Sequence, residues 1–394
     1  MLNGLAVVFI SGLILGKAAK LLRLPPLTGM IAAGIILGPH ALGLIDSSLI
    51  AISPDLRQLA LVIILTRAGL TLEIDDLKKI GRPAVMMCFV PACLEILGTI
   101  IIAPYIFGIS HIEAAVLGSV LAAVSPAVVV PRMIKIIEEG YGQKRKIPQL
   151  VLAGAAADDV FVIVMFSSFS ALCAGGAVSA VSFIQVPVSI ITGMAVGAVC
   201  GYVVVKWFEK VNMKDAVKVI ITLSISFVFI FIQNALEGIV PFSGLLAIMS
   251  MGMGIIHFNA DEAKKIASKY NELWAGAEIM LFVLVGAEVE IAYALNAGAA
   301  AVVLVFLALL FRMAGVLCCT VKTQLNKKER LFCMMAYTPK ATVQAAIGAV
   351  PLAMGLACGK TVLTCAVLAI LITAPLGAAM IDGTYKKLLK GEKV

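Results

Sequence analysis

Two adjacent carboxylates, Asp158 and Asp159, interrupt an otherwise uncharged stretch, Ala155-Ala156-Ala157-Asp158-Asp159-Val160-Phe161. Neighbouring residues on a helix point about 100° apart. One carboxylate can therefore face a water-filled cavity while the other faces a protein partner. Held away from bulk water, such a pair can take up and release a proton, or offer hard oxygen donors to a small cation such as Na+ or Li+. A structural pair held only by helix packing is the competing reading. An intramembrane aspartyl protease would need its two acids on different spans, usually with a Gly-x-Gly-Asp sequence, which is absent here.

The elements that must hold these groups follow from composition. The chain has 394 residues, 61% of them hydrophobic and 14% charged, with a mean hydropathy of +1.07. Soluble domains carry about 25% charged residues, so this is a membrane protein. Apolar runs bounded by charge or by Pro and Gly predict thirteen spans, roughly 2–20, 26–44, 56–73, 83–107, 112–132, 149–173, 183–206, 216–234, 239–257, 273–290, 294–319, 330–350 and 360–382. The connections average about ten residues, which leaves no room for a folded domain outside the membrane. No basic residue precedes the first apolar run, whereas Lys17, Lys20 and Arg23 follow it, so the run reads as a retained first span rather than a cleaved signal.

The net charge of +8 could point to nucleic acid, but the basic residues follow membrane topology instead. Of the 31 lysines and arginines, 26 fall at odd-numbered connections or after the last span, and only Arg57 and Lys360 fall on the other side. Odd connections are therefore expected in the cytoplasm, with the N-terminus outside and the C-terminus inside. Arg67, Arg312 and Lys340 belong to neither side. The nine cysteines show no C-x-x-C pair and read as small apolar packing residues, with no metal site or disulfide framework.

Short patterns recur at a nearly fixed offset. Pro26-Leu27-Thr28-Gly29 matches Pro241-Phe242-Ser243-Gly244; Gly69-Leu70-Thr71-Leu72-Glu73 matches Gly286-Ala287-Glu288-Val289-Glu290; Ala123-Val124-Ser125-Pro126 matches Ala336-Tyr337-Thr338-Pro339. The offset is seven spans, an odd number, so spans 8 to 13 would repeat spans 1 to 6 upside down, with span 7 as a linker helix. The expected fold is an all-α polytopic membrane protein of thirteen helices, two inverted six-helix repeats and two broken crossing helices. Ser125-Pro126 and Thr338-Pro339 mark those breaks, because an internal proline removes a helix hydrogen bond and favours local unwinding. Broken helices at corresponding positions point to a midplane binding site; two ordinary proline kinks are the alternative.

The remaining buried charges need partners. Arg312 cannot neutralise itself by losing a proton, so pairing with Glu95 or Asp158 is expected, with snorkelling toward Lys322 as the alternative. Lys340 follows the second break and is expected to offset the negative end of a half-helix, with Glu288 as a rival partner. Arg67 is expected to pair with Glu73, Glu278 to be structural, and His40, His111 and His257 to be interfacial.

At these residues the chain resembles the cation/proton antiporter superfamily, nearest its NHA branch of sodium/proton antiporters. The resemblance rests on Ala157-Asp158-Asp159-Val160-Phe161, Leu284-Val285-Gly286-Ala287-Glu288-Val289, Arg312, and Thr338-Pro339-Lys340-Ala341-Thr342-Val343-Gln344-Ala345-Ala346-Ile347-Gly348, and it runs essentially the whole chain. It implies a homodimer in a bacterial cell membrane. Dimerisation segments would span 1–80 and 213–291, moving core segments 81–175 and 292–384, a linker 176–212 and a cytoplasmic tail 385–394. It also implies Asp159 as ion and proton carrier with Asp158 beside it, transport rather than enzymatic chemistry, and no cofactor. One departure stands out: many members carry an acid in the unwound part of span 5, where this chain has Ser125-Pro126-Ala127.

The physics of one buried carboxylate then yields Na+ (or Li+) for H+ exchange, because the empty charged site is costly to carry across a low-dielectric barrier. Ser125 or Thr338 hydroxyls and freed carbonyls would complete the ligand set, and a permanently charged Arg312 favours one-for-one exchange. K+/H+ exchange, or sodium-coupled symport of an organic anion, are the alternatives.

Overall fold

The computed structural model describes residues 1–22, 24–71, 81–175, 180–211, 213–236 and 240–391, apart from the side chains of residues 156, 157, 160, 180–187 and 190. The described residues are helical and fall into two compact units, Met1–Pro54 with Asp75–Ala174 and Ile279–Val394, and Asp55–Ile74 with Gly175–Glu278. In chain order the helices are α1 (Leu2–Leu21), α2 (Pro26–Leu37), α3 (Ser47–Ala51), α4 (Ser53–Thr71), α5 (Arg82–Met87), α6 (Val90–Phe107), α7 (His111–Leu121), α8 (Pro126–Glu138) and α9 (Ile147–Ala174). There follow α10 (Ala180–Lys210), α11 (Asp215–Ala235), α12 (Gly244–Phe258), α13 (Ala260–Ala287), α14 (Ile291–Thr320), α15 (Lys327–Ala336), α16 (Thr342–Ile347), α17 (Val350–Ala353) and α18 (Gly359–Leu388). Among the described residues seven helical stretches are long and apolar enough to cross a membrane, including 82–107, 111–138, 291–320 and 359–388.

Local chemistry explains the ends. Ser110 accepts from the Glu113 amide and Glu113 reaches back to the Ser110 amide, which satisfies the first orphan N–H groups of α7. Asn326 and Glu329 form the same reciprocal box at the start of α15. Gly108, at φ 66°, stops α6 in a left-handed turn.

The larger unit packs by close backbone approach. A side chain at Gly29 would overlap the Leu15 carbonyl of α1, and one at Gly34 the Val283 carbonyl of α13. Gly315 likewise lies against the backbone of Pro91, and Gly98 against the Phe311 ring, so a glycine on each helix lets α6 and α14 approach closely. In the other unit Gly69 of α4 meets the backbone of α12 at Met249. There a buried polar chain joins Thr66 to Ser226 (3.4 Å) and Thr222 to Tyr270 (2.9 Å).

Three elements differ from the expected spans. Helix α13 starts at Ala260 rather than near 273, taking Lys264, Lys265 and Lys269 into the helix. No proline or glycine interrupts that polar stretch, and Asp261 and Glu262 suit a helix N-terminus. The expected span at 83–107 is divided between α5 and α6, and Pro91, which has no amide hydrogen, stands in the first turn of the restarted helix. The span at 330–350 breaks between α15 and α16, where Thr338-Pro339 is expected to break it, but is interrupted a second time between α16 and α17.

Candidate functional site

Both Ser125-Pro126 and Thr338-Pro339 interrupt helices. Helix α7 ends at Leu121 and α8 begins at Pro126; α15 ends at Ala336 and α16 begins at Thr342. The two gaps touch, because the Ser125 amide donates to the Pro339 carbonyl at 2.8 Å. Unwinding leaves the last carbonyls of α7 without helical partners, and side chains from the second half of the chain take them up. Lys340 Nζ donates to Leu121 O, a guanidinium nitrogen of Arg312 to Ala122 O, and Gln344 Nε2 to Ala123 O (2.8 Å) and Leu121 O (3.3 Å). The Val124 amide donates to Asp158 Oδ2 at 2.9 Å, and the Lys340 amide to Thr373 Oγ1 at 2.9 Å.

Charges converge on the same crossing. Arg312 of α14 is fully enclosed; its guanidinium reaches Glu95 Oε2 at 3.1 Å and Asp158 Oδ2 at 2.6 Å, and its Nε donates to Tyr337 O at 2.8 Å. The Tyr337 ring stacks beneath the guanidinium at 5.3 Å. Lys340 Nζ pairs with Glu95 Oε1 at 2.6 Å. Arg312 thus bridges both of its expected partners, and a side chain fully enclosed among them does not snorkel to an interface. The half-helix end that Lys340 satisfies belongs to α7 in the opposite half of the chain, and its carboxylate partner is Glu95, not Glu288.

Asp159 is 5% exposed, beside Asp158, and its Oδ1 has no hydrogen-bond partner. Ser125 Oγ, Thr342 Oγ1, Gln344 Oε1 and Asp158 Oδ1 are also buried polar oxygens without one. The Thr338 hydroxyl differs: it donates to Met335 O at 2.9 Å. Buried oxygens are normally satisfied, so each of these is an acceptor with hydrogen-bonding capacity left over.

Residues 5–385 match the family described as sodium/hydrogen exchanger, transmembrane. The chain belongs to that family. It is therefore an integral membrane transporter of the cation/proton antiporter superfamily, not an enzyme, and monovalent cation/proton antiport is its class of activity. It is 32% identical to sodium/hydrogen exchanger 9B2 of Homo sapiens, over 99% of this chain and 75% of that one. It is also 32% identical to sodium/hydrogen exchanger 9B1 of Homo sapiens, over 98% of this chain and 78% of that one. The fold is similar to that of the sodium proton antiporter MjNhaP1 from Methanocaldococcus jannaschii, with a TM-score of 0.85 at 21% identity, covering 98% of this chain and 97% of that one.

Other charged residues of this exchanger-family chain lie away from the crossing. Glu288 lines a cavity of about 220 Å³ with His40, Glu290, Tyr293 and Lys360. There Lys360 Nζ lies 2.6 Å from Glu290 Oε2. Arg67 lies close enough to Glu278 for their charges to act on one another; its expected partner Glu73 falls outside the described residues. At the far end of α8, Glu139 accepts from the Tyr385 hydroxyl (2.6 Å) with Lys386 at 3.5 Å. Sequence reasoning assigned no role to Tyr337, Thr373 or Gln344. The signal for Gln344 was a lone polar amide in the otherwise apolar stretch just after the break at Thr338-Pro339.

Proposed function

We propose that this antiporter exchanges Na+ or Li+ for H+ by alternating access, with Asp159 as the shared carrier and Asp158 beside it. One observation carries the reading: the buried cluster holds three acids, Glu95, Asp158 and Asp159, against two bases, Arg312 and Lys340, and both bases pair with Glu95 or Asp158. Asp159 is left to be neutralised from outside the cluster. An ionised, empty Asp159 is expensive to move through a low-dielectric barrier, whereas a proton or a cation removes that cost. If the core moves only when the site is neutral, the two ions must alternate on it. The unpartnered Ser125 hydroxyl and the free aspartate oxygens are hard donors suited to a small alkali cation. Arg312 keeps its charge throughout, which supports one H+ per cation.

The architecture proposed with it has thirteen spans, the N-terminus outside and the C-terminus in the cytoplasm, and two inverted six-helix repeats whose broken helices cross at the site. The core would comprise 81–175 and 292–384, moving in an elevator-like manner against dimerisation segments in a homodimer. The distribution of lysine and arginine supports the orientation, and the fold likeness to MjNhaP1 supports the arrangement. The proposed location is the plasma membrane; the curated relatives compared above are human, and the bacterial assignment rests on the sequence resemblance alone.

The test is dissipation of a pH gradient in proteoliposomes on adding Na+, Li+ or K+, for wild type and Asp159→Asn. Recovery with Na+ and Li+ but not K+, abolished by the substitution, is expected. Equal response to K+ would reassign the cation, and undiminished exchange by Asp159→Asn would remove Asp159 from the mechanism.

A further inference from the structure

The unwound strand between α7 and α8 is held from outside at every residue. Leu121 O accepts from Lys340 and Gln344, Ala122 O from Arg312 and Ala123 O from Gln344, while the Val124 amide donates to Asp158 and the Ser125 amide to Pro339 O. Lys340, Arg312 and Asp158 belong to the ion-pair cluster, and Pro339 contributes only its backbone. Gln344 is the one neutral side chain among these partners.

Gln344 lies in α16, which packs against α7, and it is fully enclosed. Its Nε2 is 2.8 Å from Ala123 O and 3.3 Å from Leu121 O, whereas its Oε1 has no hydrogen-bond partner. The strand fixes the orientation of the amide, because turning it over would aim an acceptor oxygen at two carbonyl oxygens. An apolar residue could fill this enclosed position without leaving a buried acceptor unpaired. The amide is therefore explained by the carbonyls it closes. Two residues beyond Ala123 stands the buried, unpartnered Ser125 hydroxyl.

We propose that Gln344 is a positioning residue for the transported cation: by closing Ala123 O it keeps the unwound strand where the Ser125 hydroxyl serves as a cation ligand. This rests on the reading above, in which Ser125 is a ligand and cation and proton compete for Asp159. A proton needs one carboxylate oxygen, whereas a hard cation needs several oxygens at set distances. Gln344 therefore sets the affinity for the cation and not that for the proton. Replacing it leaves the balance of three acids and two bases untouched, since the amide carries no charge.

The test measures exchange in proteoliposomes with the cation that wild type transports, as the half-saturating concentration across a series of pH values. At high pH this concentration is a plateau set by the cation alone, and below a break point it climbs as protons compete. Gln344→Met, similar in length but without a donor, is expected to raise the plateau about fivefold, the worth of one net hydrogen bond. The break-point pH and the maximal rate are expected to stay where they are. Gln344→Asn, whose shorter amide cannot span to both carbonyls, is expected to fall between and carries the comparison if the Met variant does not fold. Ser125→Ala is expected to raise the plateau as well, and Gln344→Met to add little on that background, because it acts through Ser125.

An unchanged plateau in the Gln344 variants, a shifted break point, or two factors that simply multiply in the double variant would each overturn the proposal. Loss of thermal stability alone, with the plateau in place, would make Gln344 merely structural. Wild type that exchanges no cation would instead sink the antiport reading, and this inference with it.

Discussion

Arg312 answers several deficits at one point. Its guanidinium is always charged and forked, so it can serve Glu95, Asp158 and two carbonyls at once, where an ammonium is a single point charge. Removing it leaves two buried carboxylates with only Lys340 to oppose them. Arg312→Ala is expected to cost about 3–5 kcal/mol, and Arg312→Lys to restore part of that, because the charge returns but the fork does not. Thermal unfolding of the purified variants in detergent checks the order wild type, Lys, Ala. If Ala is as stable as wild type, the pairing does not hold the crossing together. Asp159, with no base paired to it, is the acid whose neutralisation leaves these ion pairs intact, which is why Asp159→Asn tests transport apart from folding.

At the scale of elements, the crossing depends on how closely α9 approaches the break before α16. Gly154 lies one turn before Asp158, and a side chain there would overlap the Tyr337 hydroxyl. Tyr337 also supplies the carbonyl that accepts from Arg312 Nε, so a shift at the ring is passed to the guanidinium. Gly154→Ala is expected to destabilise by about 1–3 kcal/mol, the usual range for an overpacked core. Gly383→Ala is the internal comparison: nothing lies within 4 Å of its Cβ position in α18, and replacing a helical glycine there is expected to stabilise by about 0.5–1 kcal/mol. Opposite signs in parallel melting curves would separate close packing from a general intolerance of glycine replacement.

At the scale of the molecule, a contact far from the ion site ties the end of α8 to the last helix. The Tyr385 hydroxyl, with Lys386 and Lys135 beside it, holds the Glu139 carboxyl below the usual carboxylate range. A carboxyl whose folded value is depressed stabilises the protein above its unfolded value of about 4.3 and loses that contribution as pH falls through the folded value. Wild type is therefore expected to melt above Glu139→Gln at pH 7, with the gap closing below about pH 4. Since the group is solvent-exposed, the gap should be small and should shrink with added salt. A gap that persists unchanged at pH 3 would show that the contact acts through packing, not charge.

How much was legible in the sequence follows from the range of the forces involved. Hydropathy and the lysine and arginine bias are local properties, so the membrane class could be read from them directly. The breaks at Ser125-Pro126 and Thr338-Pro339 were marked locally by a proline that lacks the helix N–H, although Pro104, Pro131 and Pro375 stand inside helices that continue past them, so proline alone did not settle which helices break. The ends of α13 were misjudged because hydropathy marks where a helix can enter the membrane, not where the helix begins. Partner choice was harder still: Arg312 and Glu95 are 217 residues apart, and Lys340 could equally have been assigned to Glu288. Only the packing of α6 against α14 and the meeting of the two breaks decided which charges cancel. Buried charges are satisfied by whatever lies within a few ångströms, and the tertiary structure, not chain order, sets that distance.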